Sequence, residues 1–267
     1  MIDAESADFN NIAQAFPCFH SDALRKRCLA ELSNCSPKLL VELDQEMESR
    51  CPMLAKGLAK WTCNNTEIMQ LSADLCEDPD TAFEKAVEKQ VEALDSNDLL
   101  SGMSSEEKTC LAQQRASSIH NALQDIERGF LPLNSGPITS IYRGGARSEG
   151  EFENRFSIGR ELDFQHVTAC TMSSNFVPLF YAKKQYDNLQ GTGAEIVAFM
   201  LEIQLNSDTA PKLHWTGHVK GTYAITTYRW QLELLAPKGL QYCVVSVERI
   251  TPDGKPKLFR VTAKEVG

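Results

Sequence analysis

The spacing of apolar residues changes once along this chain, near residue 130, and that change limits the fold more than any other feature of the 267 residues. Ahead of it, apolar positions recur at three and four. Leu24, Cys28 and Leu32, then Leu39, Leu43 and Met47, then Phe83, Val87, Val91 and Leu94, and finally Cys110, Leu111, Ile119, Leu123 and Ile126 each read as one face of an amphipathic helix. Ser36-Pro37, Asp78-Pro79 and a Ser104 to Glu107 capping box precede three of these faces, and Gly129 is placed to stop the last. Beyond the turn formers of residues 131–137, short β-rich runs take over at 138–142, 162–170, 196–205, 222–227, 232–235, 242–250 and 258–266. The last two are joined by Pro252-Asp-Gly-Lys, a hairpin signal, and one helical stretch at 177–186 interrupts them. The expectation is an α+β chain: an all-helical domain over 1–130, followed over 138–267 by strands forming antiparallel sheets.

Charge follows the same boundary. Residues 1–130 hold 23 acids against 12 Lys and Arg, a net of −11, whereas the rest is +2 within a total of −9. An acidic half beside a near-neutral one lacks the cationic surface that nucleic acid requires, which favours protein or small-molecule partners. The longest apolar run, Ile196 to Leu201, is too short to span a bilayer, so no membrane role is expected. The acidic start, Met1-Ile-Asp-Ala-Glu5, is not followed by a signal-peptide core, which predicts a cytoplasmic site of action. Nine cysteines are odd in number and none are spaced Cys-x-x-Cys. Buried reduced thiols are expected, not disulfides or metal ligands.

Three pieces of the second half carry chemistry. Ile141-Tyr-Arg-Gly-Gly145 puts Arg143 at a strand end beside glycines that let a ligand approach the backbone, although a lone Arg near a turn is usually only solvated. Thr168 to Asn175 runs from a strand into Thr171, Ser173 and Ser174 and then a helix; alone, such hydroxyls most often cap. In Thr226 to Pro237, Gln231 and Glu233 alternate with apolar neighbours and so share one strand face, behind the aromatics Tyr228 and Trp230 on a loop where they are expected to be exposed. His166, His214 and His218 have no zinc spacing with cysteine, and neither a nucleophile elbow nor a Gly-x-x-x-x-Gly-Lys phosphate loop occurs.

In this order, the three pieces resemble the Arg, Ser, Glu signature of the mono-ADP-ribosyltransferase superfamily, in its cholera-toxin-like and clostridial-exoenzyme branch. The arginine after an aromatic is Tyr142-Arg143-Gly144, the serine stretch is Met172-Ser173-Ser174 or Thr171-Met172-Ser173, and the final motif is Gln231-Leu-Glu233 ahead of Pro237. The resemblance covers about residues 138 to 266 and implies an ADP-ribosyltransferase-like β-sandwich with NAD+ as substrate and no metal. It implies that Glu233 opposes charge on the ribose as nicotinamide leaves, that Arg143 and Gly144 with Thr171, Ser173 or Ser174 hold NAD+, and that Gln231 addresses the acceptor, with Tyr228 and Trp230 recognising the target. A Gln there suits Asn, Gln, Thr or Ser as acceptor, not Arg, because an amide cannot bind and deprotonate a guanidinium as a carboxylate does. A bacterial effector delivered into a host cytosol fits this chemistry, with a small GTPase or ubiquitin as target class. The front helices, in turn, would cover the NAD+ cleft or bind the target. The alternatives are an NAD+ glycohydrolase and a non-catalytic interaction protein on the same fold.

Overall fold

The computed structural model describes residues 16, 21–50, 52–97, 100, 102–134, 138–206, 211–217 and 229–266. Five helices come first: α1 (Ser21–Asn34), α2 (Pro37–Ser49), α3 (Pro52–Glu77), α4 (Ala82–Asp95) and α5 (Ser105–Arg128). Their ends follow the sequence signals. Ser36 caps α2, its hydroxyl accepting from the Leu39 N–H, and Ser104 and Glu107 form a reciprocal capping box on α5. Among the described residues no helix is long and apolar enough to cross a membrane.

The second half supplies β1 (Ser140–Ser148), α6 (Glu149–Arg155), β2 (Glu161–Asp163), β3 (Thr168–Thr171), α7 (Phe176–Leu189), β4 (Ile196–Gln204), β5 (His214–Trp215), a 3-10 turn (Arg229–Gln231), β6 (Glu233–Ala236), β7 (Gln241–Arg249) and β8 (Leu258–Glu265). The eight strands form one hydrogen-bonded order, β2-β7-β8-β4-β1-β3-β6-β5. Two expectations need correction here. The sheet is mixed, not antiparallel, because β4 runs parallel to β8 from Ala198 opposite Leu258 to Gln204 opposite Lys264; the intervening chain is long enough to make the crossover that parallel pairing needs. The run 162–170 is two strands, β2 at one edge of the order on β7 and β3 in its interior between β1 and β6. The strand expected at 222–227 lies outside the described residues. The β7–β8 hairpin forms, with Gly254 in the left-handed region at φ 77°.

Alternation along β4 sorts the core. Val197, Phe199, Leu201 and Ile203 face a cluster that takes in Leu234 and Ala236 of β6, Tyr242 and Val244 of β7, and Leu40, Leu43 and Met47 of α2. Ala198 and Met200 face the other way, onto Leu24 of α1 and Leu179 and Ala182 of α7. A third cluster joins Leu58, Trp61, Ile68 and Leu71 of α3 to Ile119, Leu123 and Ile126 of α5 and to Val167 and Leu235 from the sheet. These three clusters each join front-helix residues to strand residues, so helices and sheet bury their apolar faces against one another.

Candidate active site

β1 and β3 pair at Tyr142 with Thr171, and the next residue of β1 is Arg143, whose Nη1 donates to the Ala169 carbonyl at 3.0 Å. The guanidinium thus bridges the two strands at the mouth of a cavity of about 330 Å³ lined by Arg143, Gly144, Thr171, Gln231 and Glu233, with Asn65, Thr66 and Met69 of α3 and Tyr181 and Lys184 of α7 forming the opposite walls. The glycines serve packing as well. A Cβ on Gly144 would sit 1.7 Å from the Pro178 carbonyl of α7, and one on Gly145 would strike the Phe199 ring at 2.5 Å, so α7 and β4 close on β1 only because both side chains are absent.

Register brings Thr171 directly opposite Glu233. The Thr171 hydroxyl donates to the Gln231 carbonyl at 2.6 Å, and the Met172 N–H donates to the Leu232 carbonyl. Gln231 and Glu233 do reach the same cavity, though not by strand alternation. Gln231 ends the 3-10 turn, the strand begins at Glu233, and Leu232 between them has φ 46°. A left-handed leucine costs of order 1–3 kcal/mol and persists only where its surroundings enforce it, a kind of strain that gathers at functional sites. The turn is held from α2: the Asp44 carboxylate accepts from Arg229 and from the Trp215 indole, each at 2.8 Å.

Glu233 is partly buried and lines the cavity. The Thr216 hydroxyl donates to its Oε2 at 2.9 Å, and the indole of Trp61, fully buried in α3, stands beside the same carboxylate with its N–H in no well-formed hydrogen bond. Burial pushes the Glu233 carboxyl up to about 7, with Thr216 and then Trp61 pulling the other way. Cys170, next to Thr171, is driven up to about 12 by burial and is a neutral thiol near pH 7, unsuited to act as a nucleophile.

The other expected residues fall elsewhere. Ser173 and Ser174 do not line the cavity. Ser173 Oγ donates to Glu31 of α1 at 2.7 Å and accepts from the Val177 N–H at 3.3 Å, which makes it a cap of α7. Trp230, expected to be exposed, is 5 % exposed: its ring packs edge-on against Phe180, beside Cys28 and Val177, with the Arg25 guanidinium 5.8 Å from its centre. The turn rolls it inward because α1 and α7 offer an apolar slot there, and in this arrangement it presents no face to an acceptor. Tyr228 lies outside the described residues. Sequence reasoning missed Thr216, Trp61, Asn65 and Thr66, because no local motif ties residues of a helix and an edge strand to a glutamate far along the chain.

No family model matches the sequence. No curated protein matches it either. Among solved structures, the chain is similar to the Vis toxin, an ADP-ribosyltransferase from Vibrio splendidus, at a TM-score of 0.51 and 10 % identity over 91 % of this chain and 86 % of that one. A complex of Vis with the M6 inhibitor gives 0.51 and 9 % over 96 % and 90 %. The C3 exoenzyme of Clostridium limosum gives 0.46 and 11 % over 86 % and 94 %. At such identities the likeness to Vis is one of fold alone.

Proposed function

We propose that the protein transfers ADP-ribose from NAD+ to a side chain of a target protein and releases nicotinamide. The observation that carries this reading is the meeting of Arg143, Thr171, Gln231 and Glu233, from β1, β3, the 3-10 turn and β6, around one cavity on an ADP-ribosyltransferase fold. The substrate's diphosphate meets a planar cationic fork in Arg143, which donates to oxyanions in pairs. As the bond between ribose C1′ and the nicotinamide nitrogen breaks, its electrons leave with nicotinamide and positive charge gathers on the ribose. Ionised Glu233 beside that ring stabilises the transition state, and the low-dielectric surroundings that raise its pKa also strengthen its field. Thr171 fixes the Gln231 backbone, which keeps the amide and the carboxylate in step.

The acceptor attacks C1′ through a nitrogen or oxygen that loses its proton. Gln231 offers one acceptor and two donors but no charge, which suits Asn, Gln, Thr or Ser and not Arg. A small GTPase or ubiquitin, met in a host cytosol after delivery by a specialised secretion system, is the class of target we propose. The test is labelled NAD+ incubated with the protein and a eukaryotic lysate. A labelled protein band together with free nicotinamide is expected. Consumption without a band would replace transfer by NAD+ hydrolysis, and no consumption would overturn the enzymatic reading.

A further inference from the structure

Behind Arg143 lies a second, smaller cavity of about 130 Å³, and three arginines converge on it. Arg143 and Arg147 stand on one face of β1, opposite Leu201 and Val197 of β4, while Arg155 comes from the last turn of α6. Phe156, Phe164, Phe199 and Leu201 supply apolar contacts, and Gln165, His166, Thr168 and Tyr242 complete the lining. Three like charges around one cavity repel one another, a cost that proteins ordinarily offset with carboxylates.

No such partner is present: among the described residues, none of the three guanidiniums has a carboxylate oxygen within 4.0 Å. Arg143 donates to a backbone carbonyl, and Arg155 stands close enough to the Tyr242 hydroxyl to favour its ionised form. The Nε of Arg147 is buried with no partner at all. Glu151, the acid whose field reaches Arg147, is engaged by the Ser148 hydroxyl and N–H as the capping box of α6. Burial, then Arg155, hold the Arg147 guanidinium below its usual range, with Arg143 adding to them. His166, lowered by burial and by Arg143 and Arg155, contributes no negative charge.

We infer that the space enclosed by Arg143, Arg147 and Arg155 is a binding site for one phosphate-class anion. A cavity of about 130 Å³ has room for a single tetrahedral oxyanion. The guanidinium forks of the three arginines that line the cavity suit such an oxyanion, and none of them is already taken up by a carboxylate. Because Arg143 lines both cavities, an anion here bears on the cleft in front of it. The anion is either a phosphate group of the dinucleotide or free phosphate. The first source rests on the function proposed above, and the second does not.

The test is isothermal titration of inorganic phosphate and, separately, of NAD+ into the full chain and into Arg147→Gln, Arg155→Gln and the charge-retaining Arg147→Lys, with the exposed Arg115→Gln of α5 as a control for net charge. Loss of at least about tenfold in phosphate affinity in the first two variants, with Arg115→Gln unchanged, is the expected result, since each removes a charge-assisted donor. If the source is free phosphate, NAD+ affinity stays at the wild-type value in those variants. If it is the dinucleotide, NAD+ affinity falls with them, whether or not phosphate alone binds. Arg147→Lys keeps the charge and loses the fork, so it should lie between wild type and Arg147→Gln and guards against a fold defect. Phosphate and NAD+ binding that are both indifferent to Arg147 and Arg155, or absent for phosphate while indifferent for NAD+, would overturn the site. Failure of NAD+ to bind the wild type would sink the proposed function and leave the phosphate titration to decide this one.

Discussion

Two glutamates in this molecule are pushed upward by burial, and their surroundings differ: one is closed into a helix cap and the other opens onto a cavity. Glu31, on α1, has its Oε2 closed off by the Ser173 hydroxyl at 2.7 Å and the Phe176 N–H at 3.3 Å, so it caps α7 from another helix. Glu233 is raised by the same cause to about 7, but it holds one firm donor, Thr216, and lines an open cavity beside Arg143 and Gln231. A shifted carboxylate therefore says little until its remaining lone pairs are followed to what they face. Those of Glu31 face a helix end; those of Glu233 face space for a substrate.

The sharpest way to break this contrast is to neutralise each in turn. Glu233→Gln should lower NAD+ consumption by about two to three orders of magnitude, since one preorganised charge is lost, whereas Glu31→Gln should stay within a few-fold. Initial rates of nicotinamide release from the two folded variants measure this. Equal losses would erase the distinction.

Gln231 tests whether the cavity has separate cofactor and acceptor sides. Gln231→Ala should leave hydrolysis of NAD+ within a few-fold yet reduce transfer to the native target by about tenfold or more if, as proposed, the amide addresses the acceptor. Free arginine should be a poor acceptor for the wild type and a better one for Gln231→Glu. If Gln231→Ala abolishes hydrolysis as fully as Glu233→Gln does, both residues belong to the NAD+ side.

Protonation offers a smaller and more diagnostic effect. With its pKa raised to about 7, Glu233 is neutral in acid and charged above that value, so kcat/KM for NAD+ should climb with pH through about 7 and then level. Thr216→Val removes the donor that holds this pKa down, so the inflection should move to higher pH. A pH profile flat between 5 and 9, about the range in which such a group titrates, would detach Glu233 from the rate.

The parts of this arrangement that sequence made legible are those set by neighbours in the chain. Helix faces, the Ser36 and Ser104 caps and the β7–β8 hairpin follow from spacing, capping chemistry and a Gly254 turn within a few residues. Arg143, Gln231 and Glu233 were legible as an ordered set and do meet at one cavity. What stayed hidden is set by long-range closure. The parallel β4–β8 pair, the inward roll of Trp230, the left-handed turn at Leu232 and the approach of Trp61 and Thr216 to Glu233 all depend on which elements pack together. The serine stretch shows the same division: its capping chemistry is local and readable, but only the register with β6 sets Thr171, and neither serine, opposite Glu233.

Stability against pH puts the two glutamates on one scale. Each has a folded-state pKa above its unfolded value near 4.5, so each contributes stability that is fully present below that value and lost as pH rises through the folded pKa. For Glu233 the window is about 4.5 to 7, and the loss is on the order of 3 kcal/mol. The wild type should accordingly unfold at lower denaturant concentration at pH 8 than at pH 5, so far as these two groups decide it. Glu233→Gln and Glu31→Gln should each flatten the dependence by its own share, and Glu31→Gln should hold or gain stability at pH 8, because an amide oxygen still accepts from Ser173 and Phe176 without a charge to desolvate. Glu31→Ala, which deletes the cap as well, should instead lose about 1–2 kcal/mol at either pH. Urea midpoints for the three variants at the two pH values separate these outcomes. A Glu31→Gln protein as destabilised as Glu31→Ala at pH 8 would mean that the ionised carboxylate, paired to the α7 N-terminus, is the form the fold prefers.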